Sequence, residues 1–105
     1  MPTFLVIGRH PAENCPMFNE KTRKVAMKLF DKQDELLKKH RIKSLGSWTV
    51  VGEHQMIALY EAPSYEAFEK LSMEPEFLAI GAFETMETKA LVSNEEISKM
   101  LRQVK

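Results

Sequence analysis

His54-Gln55-Met56-Ile57-Ala58-Leu59-Tyr60-Glu61-Ala62-Pro63-Ser64-Tyr65-Glu66-Ala67-Phe68 reads as a strand that stops at a proline and restarts as a helix. Apolar side chains run unbroken from Met56 to Tyr60, which is the pattern of a strand covered on both faces. Pro63 has no N–H to give to a ladder, and Ser64 is a good N-cap for a helix whose apolar side carries Tyr65, Phe68 and Leu71. Ahead of the strand, Gly52-Glu53 is a Gly-X pair suited to a tight hairpin, joining it to a preceding strand over Leu45–Val51. Two strands and a helix are thus set by one stretch.

Phe4-Leu5-Val6-Ile7-Gly8 is a second unbroken apolar run, punctuated by Gly8 and Pro11, and predicts another strand buried on both sides. From Met17 to about His40, Val25, Ala26, Leu29, Leu36 and Leu37 recur at helical spacing among charged residues, which predicts a long amphipathic helix. His40 and Arg41 suit its C-terminal end, where cations meet the negative end of the dipole. Beyond the helix at Ser64, Pro75 interrupts, Gly81 releases the chain, and Phe83–Val92 reads as a half-exposed strand. Ser93-Asn94-Glu95-Glu96 is a capping box that opens a terminal helix through Ile97, Leu101 and Val104.

The order is strand, helix, strand, strand, helix, strand, plus a helical extension over residues 92–105 of a single domain, 1–105. This is the split βαββαβ arrangement of a ferredoxin-like α+β fold: an antiparallel sheet with the first and third strands central and both helices on one face. One helical layer covers one sheet face only. Phe4 and Val6 alternate with Leu5 and Ile7, and Met56 and Ala58 with Ile57 and Leu59, so the uncovered face is also apolar. A soluble monomer rarely exposes so large a patch, which predicts a homodimer joined sheet against sheet.

In topology, length and the pattern from Met56 to Phe68, the whole chain resembles the dimeric α/β-barrel superfamily, and small prokaryotic members of unknown function most of all. That superfamily includes cofactor-free monooxygenases, haem-degrading enzymes, muconolactone isomerases and small metal-binding proteins. The resemblance implies a ligand cavity between helices and sheet, or at the mouth of the barrel, but the fold does not choose among these activities.

Composition narrows the partners. The 105 residues carry 15 basic and 15 acidic side chains, so the field that would draw nucleic acid or an anionic membrane is missing. No apolar run approaches the roughly 20 residues of a membrane helix. One cysteine allows no internal disulfide, and the Met1-Pro2-Thr3-Phe4 start lacks the features of a signal peptide, which predicts a cytoplasmic protein.

The chemistry gathers at Arg9-His10-Pro11-Ala12-Glu13-Asn14-Cys15-Pro16, between the first strand and first helix. Connectivity brings this corner and the hairpin to one end of the sheet, so His10, Cys15 and His54 share it, while His40 lies at the opposite end. Pro16 as a first helical residue would make Cys15 the helix cap, an environment that favours a thiolate; a start at Asn19 would weaken that. Three readings follow. His10 and Cys15, with Met17, Glu53 or His54, could hold zinc, copper or nickel. Alternatively His10 is a general base in a small-molecule pocket lined by Phe4, Val6, Trp48 and Met56, assisted by Cys15 or Tyr60, in a cofactor-free monooxygenase or isomerase acting on a small apolar molecule. In the third, His10 is a hydrogen-bonded strand-end histidine and Cys15 a small buried hydrophobe. The scattered methionines read as core filler, and no hydrolytic or phosphate-binding signature is present.

Overall fold

The computed structural model describes residues 1–104. These form β1 (Thr3–Arg9), α1 (Glu20–Lys39), β2 (Lys43–Val50), β3 (Gln55–Glu61), α2 (Tyr65–Ser72), α3 (Pro75–Gly81), β4 (Thr85–Leu91) and α4 (Asn94–Gln103). The strands make one sheet in the order β2-β3-β1-β4, and each neighbouring pair is antiparallel. The two apolar strands are therefore central, as the sequence predicts, in a ferredoxin-like α+β architecture.

Local chemistry moves several predicted boundaries. Helix α1 begins at Glu20 rather than near Met17, because the Asn19 side chain accepts a hydrogen bond from Thr22 N at 3.0 Å and caps the first turn. Cys15 therefore lies upstream of the helix and does not cap it. Strand β2 starts at Lys43, two residues earlier than expected, because a bulge between Ser44 and Gly46 lets pairing continue past Leu45. The hairpin spans four residues, Val51–His54, with Gly52 at φ 82° and His54 at φ 51°. After α2, whose cap Ser64 accepts from Ala67 N at 3.1 Å, Pro75 restarts the chain as α3 because it occupies a first-turn position that needs no N–H. The capping box at Ser93 forms as expected, with Ser93 Oγ accepting from Glu96 N at 3.1 Å.

Strand register sorts the sheet into two faces. Phe4, Val6, Ala58 and Tyr60 face the helices and join Leu36 and Leu37 of α1, Ile42, Ala62, and Phe68 and Leu71 of α2 in one core. Phe68 stacks on Phe4 at 5.1 Å between ring centroids and tilts against Tyr60 at 5.8 Å. Burial of side chains this size is worth about 1.5–3 kcal/mol each. This packed region lies where β1 begins and β3 ends. At the other end the N-terminal half of α1 stands away from the sheet, and Ala26, Leu29 and Phe30 face a cavity instead of neighbouring side chains.

The second sheet face carries Leu5 and Ile7 of β1, Ile57 and Leu59 of β3, and Trp48 of β2, paired with Ile57. Its β4 edge is charged: Arg9 donates to Glu87 at 3.1 Å, and Lys89 lies 2.8 Å from the same carboxylate. Trp48 lies over Gly46, where an added Cβ would overlap the indole ring.

The packed end is closed by the terminus of α1. Arg41 takes a left-handed backbone, φ 58°, so that its N–H reaches Lys38 O at 3.1 Å and Ile42 N–H reaches Leu37 O at 2.9 Å, turning Ile42 into the core. Beside it the Glu74 carboxylate accepts from His40 Nε2 at 2.6 Å and Lys39 Nζ at 2.9 Å, tying α1 to α3. These bonds, His40's first, hold the Glu74 carboxyl below its ordinary pKa. A depressed folded-state value stabilises the fold above the unfolded carboxylate pKa, and that contribution is lost as pH falls through the folded one. Glu74→Gln is therefore expected to lower the urea midpoint at neutral pH and to shrink its decline between roughly pH 5 and pH 3. Parallel declines in both proteins would show that the bridge adds nothing.

Candidate functional site

The sheet end opposite this bridge is hollow. A cavity of about 730 Å³ lies between helices and sheet, floored by Val6, Met56, Tyr60 and Thr88 and walled by Leu29, Phe30, Leu71, Phe77 and Ile80. Its lining is largely apolar; His10, Cys15 and His54 border it at the predicted corner, and Gln33, Ser47, Thr49, Ser72 and Thr88 border it elsewhere.

Backbone geometry assembles that corner. His10 follows β1 and extends its ladder by one bond, its N–H donating to His54 O at 3.1 Å, so both histidines sit where β1 and β3 meet the hairpin. Their rings meet edge to face at 5.4 Å. From Pro11 a single 3-10 turn, Ala12–Asn14, reverses the chain, Cys15 N–H donates to Ala12 O at 3.2 Å, and Cys15 is brought back over His10, only 7% exposed. The loop is held from α1: Asn19 Nδ2 donates to Glu13 O at 2.9 Å, and Arg23 donates to Pro16 O at 2.9 Å and Met17 O at 3.2 Å. One potential ligand atom each from His10, Cys15 and His54 lies within 4.8 Å of the other two. His54 holds its place in a left-handed conformation that favours glycine, a cost characteristic of functional turns.

Sequence reasoning missed Glu84. This residue, just before β4, turns its carboxylate inward to 3.8 Å from His10 Nδ1, with side chains 8% and 12% exposed respectively. Both ring nitrogens of His10 and Glu84 Oε1 are buried without a hydrogen-bond partner in the protein. Burial, and secondarily the charge of His54, lowers the His10 pKa; burial raises those of Glu84 and Tyr60. Gly8 makes the room, since a Cβ there would overlap Glu84 Oε1 and lie 3.0 Å from its Cδ. A glycine inside a strand, as Gly8 is near the end of β1, marks such a close approach, and that was the signal available.

The other predicted residues divide by sheet face. Val6, Met56 and Tyr60 line the cavity, whereas Phe4 lies behind it in the packed core. Trp48 does not belong to the pocket: the β2 register puts it on the opposite face, 54% exposed. Met17 lines the cavity rim; Glu53 is exposed and outside the histidine and cysteine cluster; His40 is at the far end, as expected.

Strand order and helix placement define an α+β, ferredoxin-like fold with a hollow between its helices and sheet. No protein-family model matches the chain, and no curated protein matches it. Among solved structures it is similar to an uncharacterized NIPSNAP domain protein from Burkholderia xenovorans, at TM-score 0.59 and 18% identity over 89% of this chain and 94% of that one. It is also similar to an antibiotic biosynthesis monooxygenase, at TM-score 0.57 and 12% identity over 89% and 98% of the two chains. A third is SnoaB, a cofactor-independent oxygenase from Streptomyces nogalater, at 0.52 and 15% over 88% and 91%. Likeness at these identities establishes the fold. No helix among the described residues is long and apolar enough to cross a membrane.

Proposed function

We propose that this protein is a homodimer that binds a small, largely apolar molecule in the cavity between helices and sheet, with the polar group of that molecule at His10. The observation that carries the reading is the cavity of about 730 Å³, apolar along its walls and ending on His10 and Glu84, whose buried polar atoms have no protein partner. Buried polar groups are ordinarily satisfied, so a ligand supplying a donor or acceptor at that end would remove a standing cost. The uncovered apolar sheet face supports the dimer.

The test is saturable binding of a neutral apolar fluorophore, N-phenyl-1-naphthylamine, to wild type and to Ala26→Trp, which fills the cavity from α1. One bound molecule per chain is expected, weakened at least about tenfold in the variant, a difference of roughly 1.4 kcal/mol. Absence of saturable binding, or equal binding by both proteins, would remove the cavity from the function.

His10 favours a second reading of the same pocket. Its neutral imidazole, beside the cavity and free of other partners, is placed to take a proton from an acidic C–H or O–H of the bound molecule, as an isomerase or cofactor-free oxygenase requires. Two of the similar structures are described as a monooxygenase and a cofactor-independent oxygenase, which supports this reading. Exchange of an acidic C–H for deuterium in a bound apolar ketone, lost in His10→Ala, is the expected result. Unchanged exchange in that variant would exclude His10 as the base.

A further inference from the structure

We infer that His10, Cys15 and His54 form a binding site for a borderline-soft divalent transition metal, with zinc the ion that fits best, and that its open coordination position faces the cavity. The ligand atoms lie within 4.8 Å of one another, and side-chain rotation alone must close them to the roughly 3.3–3.8 Å edges that zinc–nitrogen and zinc–sulfur bonds of about 2.0–2.3 Å impose on a tetrahedron. Two imidazoles and one thiolate are the donors zinc prefers, and carboxylate-selecting ions such as magnesium and calcium have no comparable set here.

Two further observations point to a bound cation, and two more describe a corner held in place before it binds. Both nitrogens of His10 are buried and unpartnered, so the neutral ring has a lone pair that no protein donor uses. Glu84 approaches His10 Nδ1 at 3.8 Å, the place of the outer carboxylate that fixes a ligating histidine and leaves Nε2 for the metal. Asn19 and Arg23 hold the Cys15 loop through main-chain oxygens of Glu13, Pro16 and Met17, so Cys15 is positioned before any ion arrives. Finally, His54 keeps an imidazole at a backbone position, φ 51°, where glycine or asparagine would be less costly.

All three ligands line the cavity, so three protein ligands and one open position describe a metal that meets the bound molecule. This deepens the cavity reading, replacing the free His10 ring with a His10-bound metal as the group that meets the molecule's polar atom, and rests on it only for the fourth ligand. The molecule it selects has an apolar body and a single nitrogen or oxygen donor; binding of the metal itself requires no cavity ligand. Loading releases the Cys15 proton and forms a metal–thiolate bond with no change of oxidation state.

Cobalt(II) is the probe, added to reduced, metal-stripped protein with no histidine tag. Wild type is expected to bind one Co²⁺ per chain, displaced by Zn²⁺, with visible d–d bands and a near-ultraviolet thiolate charge-transfer band. Cys15→Ser should lose the charge-transfer band. His54→Gly relieves the left-handed backbone and so keeps the fold, verified by circular dichroism, yet should weaken Co²⁺ at least tenfold; Glu84→Gln should weaken it about tenfold. Wild type that takes up no more Co²⁺ than folded His54→Gly overturns the site. With Co²⁺ bound, 4-phenylimidazole should shift the visible bands, and Ala26→Trp should abolish that shift while Co²⁺ uptake stays unchanged. Uptake with no 4-phenylimidazole shift in wild type keeps the metal and rejects the open position toward the cavity, so the two readings fail separately.

Discussion

Gly8→Ala is expected to lower the unfolding free energy by about 1–3 kcal/mol, the usual cost of displacing packed side chains to admit extra volume. Alanine in place of glycine within a strand ordinarily gains about 0.5–1 kcal/mol, so the sign of the effect is itself diagnostic. The loss arises because a Cβ at Gly8 would overlap Glu84 Oε1 and lie 3.1 Å from Met56 Cγ, so the Glu84 carboxylate must leave His10 for the cavity it lines and Met56 must shift as well. Glu84→Ala removes the obstructing carboxylate, so Gly8→Ala should cost far less in that background, with a coupling of about 0.5–3 kcal/mol in a double-mutant cycle. Urea unfolding of the four proteins measures it. Additive effects would mean that Gly8 is small for some other reason and that Glu84 does not occupy the space beside it.

The central strands were legible because apolar side chains on both faces make an unbroken run, and only β1 and β3 have one. The helices were legible where a stop or cap is chemical, as at Ser64, Pro75 and Ser93. Boundaries failed where two local signals compete. Pro16 and Asn19 both suit a helix start, and Asn19 prevails because its side-chain oxygen accepts from Thr22 N and caps the first turn. The bulge beside Gly46 left no mark in hydrophobic alternation, yet it sets the β2 register, and with it the face on which Trp48 stands. Trp48, expected in the pocket, therefore stands outside it.

Within the site, connectivity sufficed to bring His10, Cys15 and His54 to one end, since a strand end, a short return loop and a hairpin can meet nowhere else in this topology. Glu84 was not legible as a site residue. It arrives from the turn after α3, and its inward direction follows from β4 pairing Gly8 with Met86, a register that the mixed Thr, Met and Glu pattern of that strand does not specify. Val6 and Tyr60 line the hollow, and α1 joins the packed core through its second half, at Leu36 and Leu37. No periodicity encodes that asymmetry.

Ile57→Asp is expected to convert a dimer into a folded monomer. Leu5, Ile7, Ile57, Leu59 and Trp48 share the sheet face that no helix covers, bounded on the β4 side by Arg9, Glu87 and Lys89. An apolar centre with a charged rim is the anatomy of an interface, and charges on that rim set orientation more than affinity. Ile57 lies at the centre of this patch, hydrogen-bonded between β1 and β2 and paired with both Ile7 and Trp48. In a two-fold dimer each substitution occurs twice, so losing about 1.5–3 kcal/mol per isoleucine weakens association by roughly 4 kcal/mol, near a thousandfold in Kd. Because Ile57 is outside the helix-side core, the monomer should keep its circular dichroism spectrum, which separates dissociation from unfolding. Glu87→Ala at the rim should leave assembly almost unchanged. Sedimentation equilibrium at micromolar concentration decides the matter: wild type that is already monomeric would leave this face without a partner copy, and an Ile57→Asp protein that remains dimeric would place the interface on another surface.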